Sequence, residues 1–189
     1  MTADFFGEPE LVPGLRYQDS VLSKTEERDM LGWLSSLPFQ AFEFHGFEGK
    51  RRVVSFGWKY DFSSQRLALV EPMPVEVGPV RRRIASLFDI EESALQQLLV
   101  TEYGPGAAIG WHKDKATFGV VVGVSLGTPC TMRFRREAGS TWERRSLELK
   151  PRSAYLLSGE ARSAWEHSIP AVKQTRYSLT FRTLARGAG

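Results

Sequence analysis

The chain has 189 residues, 42% hydrophobic and 12% aromatic, with 25 Lys and Arg against 22 Asp and Glu for a net charge of +3. That length and apolar content suit a single domain over residues 1–189 and exclude a long disordered chain, and no apolar run approaches the roughly 18 residues of a membrane span. The charge is uneven: residues 1–50 carry 4 basic against 9 acidic side chains and residues 51–189 carry 21 against 13, so a polyanion would meet the later part.

Met1 to Gly14 has three acids and no base and lacks the basic start and apolar core of a secretion signal. The one cysteine, Cys130, can form no internal disulfide, so a reducing cytoplasm is the expected location. It follows Pro129 at a strand start and reads as a small buried side chain rather than a metal ligand. Ser23-Lys24-Thr25-Glu26 has the form of a capping box, in which serine and glutamate each satisfy the other's backbone amide. Met30, Leu31, Leu34 and Leu37 follow at helical spacing, and Pro38 is expected to end that helix. Arg51 to Phe62 is β-rich, aromatic and basic; in an extended chain Trp58 and Tyr60 share a face. Val77, Val80, Ile84, Leu87 and Phe88 form a second helical stripe, with Arg81, Arg82 and Arg83 expected on a solvated face.

From about Leu98 the texture changes to strands punctuated by Gly and Pro. The expected strands are Leu98–Tyr103, Phe118–Leu126, Thr131–Arg135, Arg144–Leu149, Ala154–Leu157 and Arg176–Leu184. Short strands with few intervening helices argue against a doubly wound parallel sheet and for an α+β, mainly β chain of jelly-roll type, with the early helices packed on an outer face.

The chain has three histidines, His45, His112 and His167. In an extended segment His112 and Asp114 point the same way and can reach one ion together. With His167 they form a two-histidine, one-carboxylate set that leaves positions open on an octahedral metal, the site type of non-haem Fe(II) oxygenases. Zinc also accepts such a set. The competing reading has His112 capping a turn and Asp114 paired with Lys113 or Lys115. On the last strand Arg176, Ser178, Thr180 and Arg182 share a polar face, while Tyr177, Leu179 and Phe181 form an apolar one. The two guanidiniums, roughly 20 Å apart along an ideal strand, can reach inward to opposite ends of a short dicarboxylate. Alternatively, both arginines decorate a solvent-facing edge strand.

Taken in order, the H-x-D of His112 and Asp114, the His167 of Trp-Glu-His, and the closing R-Y-S-L-T-F-R from Arg176 to Arg182 resemble the AlkB family of Fe(II)- and 2-oxoglutarate-dependent dioxygenases. The likeness is strongest from Leu98 to Leu184. It implies a double-stranded β-helix, with residues 97–185 as catalytic core and residues 1–96 supplying helices and a substrate lid. It implies that His112, Asp114 and His167 hold Fe(II), that Arg176 and Arg182 bind 2-oxoglutarate with help from Tyr103, and that O2 is the oxidant. Thr101 and Ser178 stand where the family usually has asparagine; both can still hydrogen-bond the cosubstrate, with shorter reach. Ala116 stands where many nucleic-acid repair members carry an acid.

The lid resemblance falls on Arg51 to Phe62, so Arg51, Arg52, Trp58 and Tyr60 are substrate candidates, together with Trp111, Lys113 and Lys115 beside the metal motif. An aromatic ring there can stack on a flipped base; core packing is the alternative for at least one of them. The resemblance implies an oxidative demethylase of N-alkylated bases in DNA or RNA, with single strands favoured, acting as a monomer away from membranes. Ala116 keeps open a hydroxylase of a protein, lipid or small metabolite. A non-catalytic nucleic-acid-binding module on the same scaffold is the remaining alternative.

Overall fold

Ser23 opens the first helix, α1 (Lys24–Leu34), as the capping box predicts. In the computed structural model, which describes residues 11–44 and 47–186, the Glu26 amide donates to the Ser23 hydroxyl at 3.1 Å and the Ser23 amide to the Glu26 carboxylate at 2.7 Å. The helix stops at Leu34, before Pro38 is reached. The Ser35 and Ser36 hydroxyls donate to the carbonyls of Gly32 and Trp33; these bonds occupy the last turn, so proline is not the terminator. Helix α2 (Gly78–Leu87) buries Val80, Ile84 and Ala85. Of the three arginines expected in solvent, Arg83 is instead tied to α1. Its guanidinium pairs with Glu26 at 2.7 Å and donates to the Val21 carbonyl.

The strands are β1 (Leu15–Gln18), β2 (Gln40–Phe44), β3 (Phe47–Phe56), β4 (Trp58–Asp61), β5 (Arg66–Leu69), β6 (Leu95–Tyr103), β7 (Ile109–His112), β8 (Phe118–Leu126), β9 (Cys130–Ala138), β10 (Thr141–Leu149), β11 (Ser153–Leu157), β12 (Glu166–Ile169) and β13 (Arg176–Leu184); a short helix, α3 (Gly159–Ser163), precedes β12. From β6 onward the chain passes between two antiparallel sheets. One has the order β1-β11-β8-β13-β6-β3-β2, the other β10-β9-β12-β7. This is a double-stranded β-helix of jelly-roll type, mainly β, as expected. Strands β7 and β12 were not expected: the sequence around both reads as loop, and they turn out to carry the two metal-motif histidines. Between β3 and β4, Gly57 adopts φ +75°, and a Cβ there would stand 2.1 Å from the Gln96 carbonyl oxygen, so only glycine lets the chain leave the large sheet at this point. Strands β4 and β5 then pair as a separate two-stranded ribbon.

The apolar face of β13 works as the alternation predicts. Leu179 and Phe181 are fully buried and pack with Val122 and Val124 of β8, Leu98 and Val100 of β6, and Met30, Leu34, Val80 and Ile84 of the helices. Burial of these side chains, each worth about 1.5–3 kcal/mol, fixes the helices on the outer face of the large sheet. A second cluster fills the space between the sheets, with Val121, Met132, Phe134, Tyr155, Leu157 and Trp165. A third, smaller one joins Tyr103, Ala107, Ile169 and Val172. Half-buried Cys130 packs against the edges of both. No helix among the described residues is long and apolar enough to cross a membrane.

Candidate active site

Pairing in the small sheet brings the metal motif together. His112 closes β7 and lies directly opposite His167 of β12, which is itself opposite Phe134 of β9. The two imidazole centroids are 4.3 Å apart. Asp114 lies just beyond the end of β7, with its Oδ1 3.9 Å from His112 Nε2. One ligand atom from each of His112, Asp114 and His167 falls within 4.8 Å of the others. The Gly110 carbonyl lies 2.8 Å from His112 Nδ1. A carbonyl only accepts, so Nδ1 carries the proton and Nε2 keeps its lone pair for a metal. His45 lies outside the described residues.

Electrostatics hold all three groups in the protonation states a metal needs. Burial, reinforced by the neighbouring His112, pushes the His167 imidazole down to about 3, so it is neutral at physiological pH. Burial opposes ionisation of Asp114, but Arg182, His167, His112 and Arg162 outweigh it and hold the carboxyl well below the usual carboxylate range. Asp114 does not pair with Lys113 or Lys115. Arg182 Nη2 donates to it at 3.3 Å, with side chains 9% and 11% exposed.

The segment after β7 is pinned from beneath by α3. The Arg162 guanidinium donates to the carbonyls of Gly119 at 2.7 Å, Phe118 at 2.8 Å, Lys115 at 3.2 Å and Asp114 at 3.4 Å. Nothing in the sequence singles out Arg162, because its partners are backbone carbonyls that every residue type supplies.

The polar face of β13 looks into the barrel. Arg176 is registered with Tyr103, Ser178 with Thr101 and Ser125, Thr180 with Gly123, and Arg182 with Gln97. Arg182 Nη1 donates to Gln97 Oε1 at 2.8 Å. Arg176 is fully buried, donates through Nε to Ser125 Oγ at 3.0 Å and lies 5.0 Å from the Tyr103 ring centroid. Both its Nη atoms are buried with no hydrogen-bond partner among the described residues. A buried guanidinium with two idle donors is costly unless an anion completes it. Ser178 and Thr180 share a 3.2 Å hydroxyl contact. Gln97 and Ser125 were missed at the sequence level, although Gln97 has the same strand parity as Thr101 and Tyr103.

The substrate candidates separate into two groups. Lys115 Nζ stands 5.4 Å and 5.3 Å from the ring centroids of Tyr60 and Phe62, linking the β4–β5 ribbon to the metal segment. Trp58 shares β4 with Tyr60. Arg51 stacks on Phe42. Arg52 pairs with Glu102 at 2.6 Å, and Lys113 donates to the Ser163 carbonyl. Trp111 lies under the guanidiniums of Arg133 and Arg135, at 5.1 Å and 4.5 Å. Ala116 is exposed on the turn after Asp114.

The family described as the 2OG-Fe(II) oxygenase superfamily matches residues 19–182. The chain belongs to that superfamily. Within it the relatives are AlkB proteins, as the motifs indicate. The chain is 30% identical over 183 residues to a protein of Arabidopsis thaliana named alkylated DNA repair protein ALKBH8 homolog, the match covering 84% of this chain and 51% of that protein. It is 28% identical over 168 residues to the Mus musculus protein named tRNA (carboxymethyluridine(34)-5-O)-methyltransferase ALKBH8, covering 84% of this chain and 24% of that one. The chain thus spans about half of the plant relative and about a quarter of the mouse one. In fold it resembles the solved structure of OsALKBH1, with a TM-score of 0.68 at 17% identity over 90% of this chain and 96% of that one. As a member of this superfamily the protein is an Fe(II)- and 2-oxoglutarate-dependent dioxygenase, and the residues present fit those groups. His112, Asp114 and His167 would hold the iron, and the idle donors of Arg176 suit a carboxylate of the cosubstrate.

Proposed function

We propose that this dioxygenase is an oxidative demethylase of N-alkylated bases in nucleic acid, acting on single strands. The observation that carries the reading is the cluster of Lys115, Tyr60 and Phe62, an ammonium over two aromatic rings beside Asp114. Aromatic rings offer stacking surfaces to an unpaired base, and a cation next to them suits its phosphate. The outer face of the small sheet adds to this: Arg135 lies between Trp111 and Trp142, 4.1 Å from the latter's ring centroid, and a groove of about 650 Å³ opens beside Lys113, Arg136 and Trp142. The relatives named above for DNA repair and for tRNA modification point to the same class of polymer.

When bound, Fe(II) with 2-oxoglutarate and O2 supplies a two-electron oxidation whose by-products are succinate and CO2. The chain's own residues bind and orient. Arg176 and Arg182 neutralise the dicarboxylate. Neutral His167 and ionised Asp114 stay ready as ligands without a proton to lose. Buried Phe134 and Trp165 keep water from the back of the site. Hydroxylation of an N-methyl carbon gives a hemiaminal, which releases formaldehyde and the unmodified base.

The test is anaerobic loading with Fe(II) and 2-oxoglutarate, then O2 and methylated single-stranded DNA or RNA oligonucleotides. Formaldehyde release and loss of the methyl group, both abolished in Asp114→Ala, are the expected result. Succinate formation with every base methyl retained would overturn the reading.

A further inference from the structure

Gly123 and Tyr155 are direct partners on the inner face, β8 against β11. A Cβ on Gly123 would stand 2.2 Å from Tyr155 Cζ and 2.4 Å from the phenolic oxygen. The phenol therefore lies across the space that a side chain at position 123 would fill. On its other side Gly123 is registered with Thr180, midway between Arg176 and Arg182 on β13. The ladder thus carries the phenol from β11 to the middle of the row that ends in two guanidiniums.

Tyr155 is only 6% exposed, and its hydroxyl makes no hydrogen bond with the described residues. A ring that only filled the barrel would be served as well by phenylalanine; an interior hydroxyl without a partner is a cost. Burial raises the phenol's pKa above its ordinary value, so it keeps its proton and remains a donor. Arg182 is bound to Asp114 and so marks the iron end of the row, while Arg176, beside Tyr103, marks the far end. A carboxylate at the far end has about four acceptor sites, and the idle Arg176 Nη atoms do not fill them all.

We propose that Tyr155 is a cosubstrate-contacting residue whose hydroxyl donates to the distal carboxylate of 2-oxoglutarate held by Arg176, and that position 123 is glycine in order to admit its ring. Serine at 123 would return a hydroxyl to nearly the same point from the opposite strand. This inference rests on the family's cosubstrate and not on the nucleic-acid reading, and no oligonucleotide enters its test.

The test is calorimetric titration of 2-oxoglutarate into the Mn(II)-loaded protein. Tyr155→Phe is expected to raise the Kd about tenfold, the loss of one hydrogen bond to a charged group, with Mn(II) affinity and melting temperature unchanged. Tyr155→Leu should weaken binding at least as much, and Gly123→Ser combined with Tyr155→Leu should recover most of the affinity. A Tyr155→Phe protein that binds 2-oxoglutarate as tightly as the parent would overturn the proposal and leave Tyr155 as packing alone.

Discussion

His112 and His167 are cross-strand partners, with ring centroids 4.3 Å apart and ring planes tilted by 57°. Their separation is set by the β7–β12 ladder, so two of the three metal ligands are placed by backbone hydrogen bonding before any metal arrives. Asp114 is the exception. It stands beyond β7 and is positioned by arginines, Arg182 at its carboxylate and Arg162 at its backbone.

Replacing Asp114 by Asn keeps the shape and removes the charge. Arg182 then remains buried without its anion, and breaking such a pair costs on the order of 3 kcal/mol. We expect a lower urea midpoint in the metal-free protein and less than one Mn(II) bound per chain. Equilibrium unfolding and metal analysis after gel filtration check both.

Arg162→Ala removes a guanidinium that holds four carbonyls of the segment from Asp114 to Gly119. Loss of support around metal ligands weakens binding about 10- to 100-fold. Lysine should not rescue it, because an ammonium lacks the planar fork that spans several acceptors. Competition with a fluorescent chelator gives the metal Kd of each variant.

Gly123→Ala places a methyl group 2.2 Å from the Tyr155 ring. Overpacking of this kind costs about 1–3 kcal/mol. Tyr155→Leu should relieve it, so the double variant should be more stable than the sum of the two single changes predicts. Thermal melts of the four proteins complete the cycle.

Arg83 and the Ser23 amide hold the Glu26 carboxyl down at about 2, from an ordinary 4.5. A depressed carboxylate stabilises the fold above its unfolded pKa, and that contribution is lost as pH falls through the folded one. In Glu26→Gln the α1–α2 contact should therefore be weaker at pH 7, and the difference from the parent should vanish between about pH 4.5 and 2. Because both side chains are more than 40% exposed, solvent screens the effect and it should be modest. Urea denaturation at pH 7 and pH 3 measures it; equal differences at the two values would contradict the assignment.

Much of this was legible in the sequence, and the reason is periodicity. Phe118–Leu126 and Arg176–Leu184 have the bounds read from alternation alone, because both strands are long and flanked by turns. Strands β7 and β12 escaped notice because each has only four residues, too few for alternation to register, and ladder pairing with β9 sustains them. The ligand set was readable because histidine is scarce here; the way Asp114 is held was not, because Arg162 acts on carbonyls. Tyr155 escaped as well. Its meaning depends on a glycine 32 positions earlier, and only the register of β8 and β11 brings them face to face.

The strand β1 has a consequence for handling the protein. It lies along β11, pairing Leu15 with Leu157 through Gln18 with Ala154, and β11 is buried at all five of its residues. Without β1 that strand would present unpaired amides and carbonyls beside an apolar surface, a template that another chain can extend. A version trimmed to begin after Gln18 would retain every ligand and both arginines, yet it would tend to precipitate or assemble edge to edge. Solubility of the barrel is thus vested in four residues far in sequence from its chemistry.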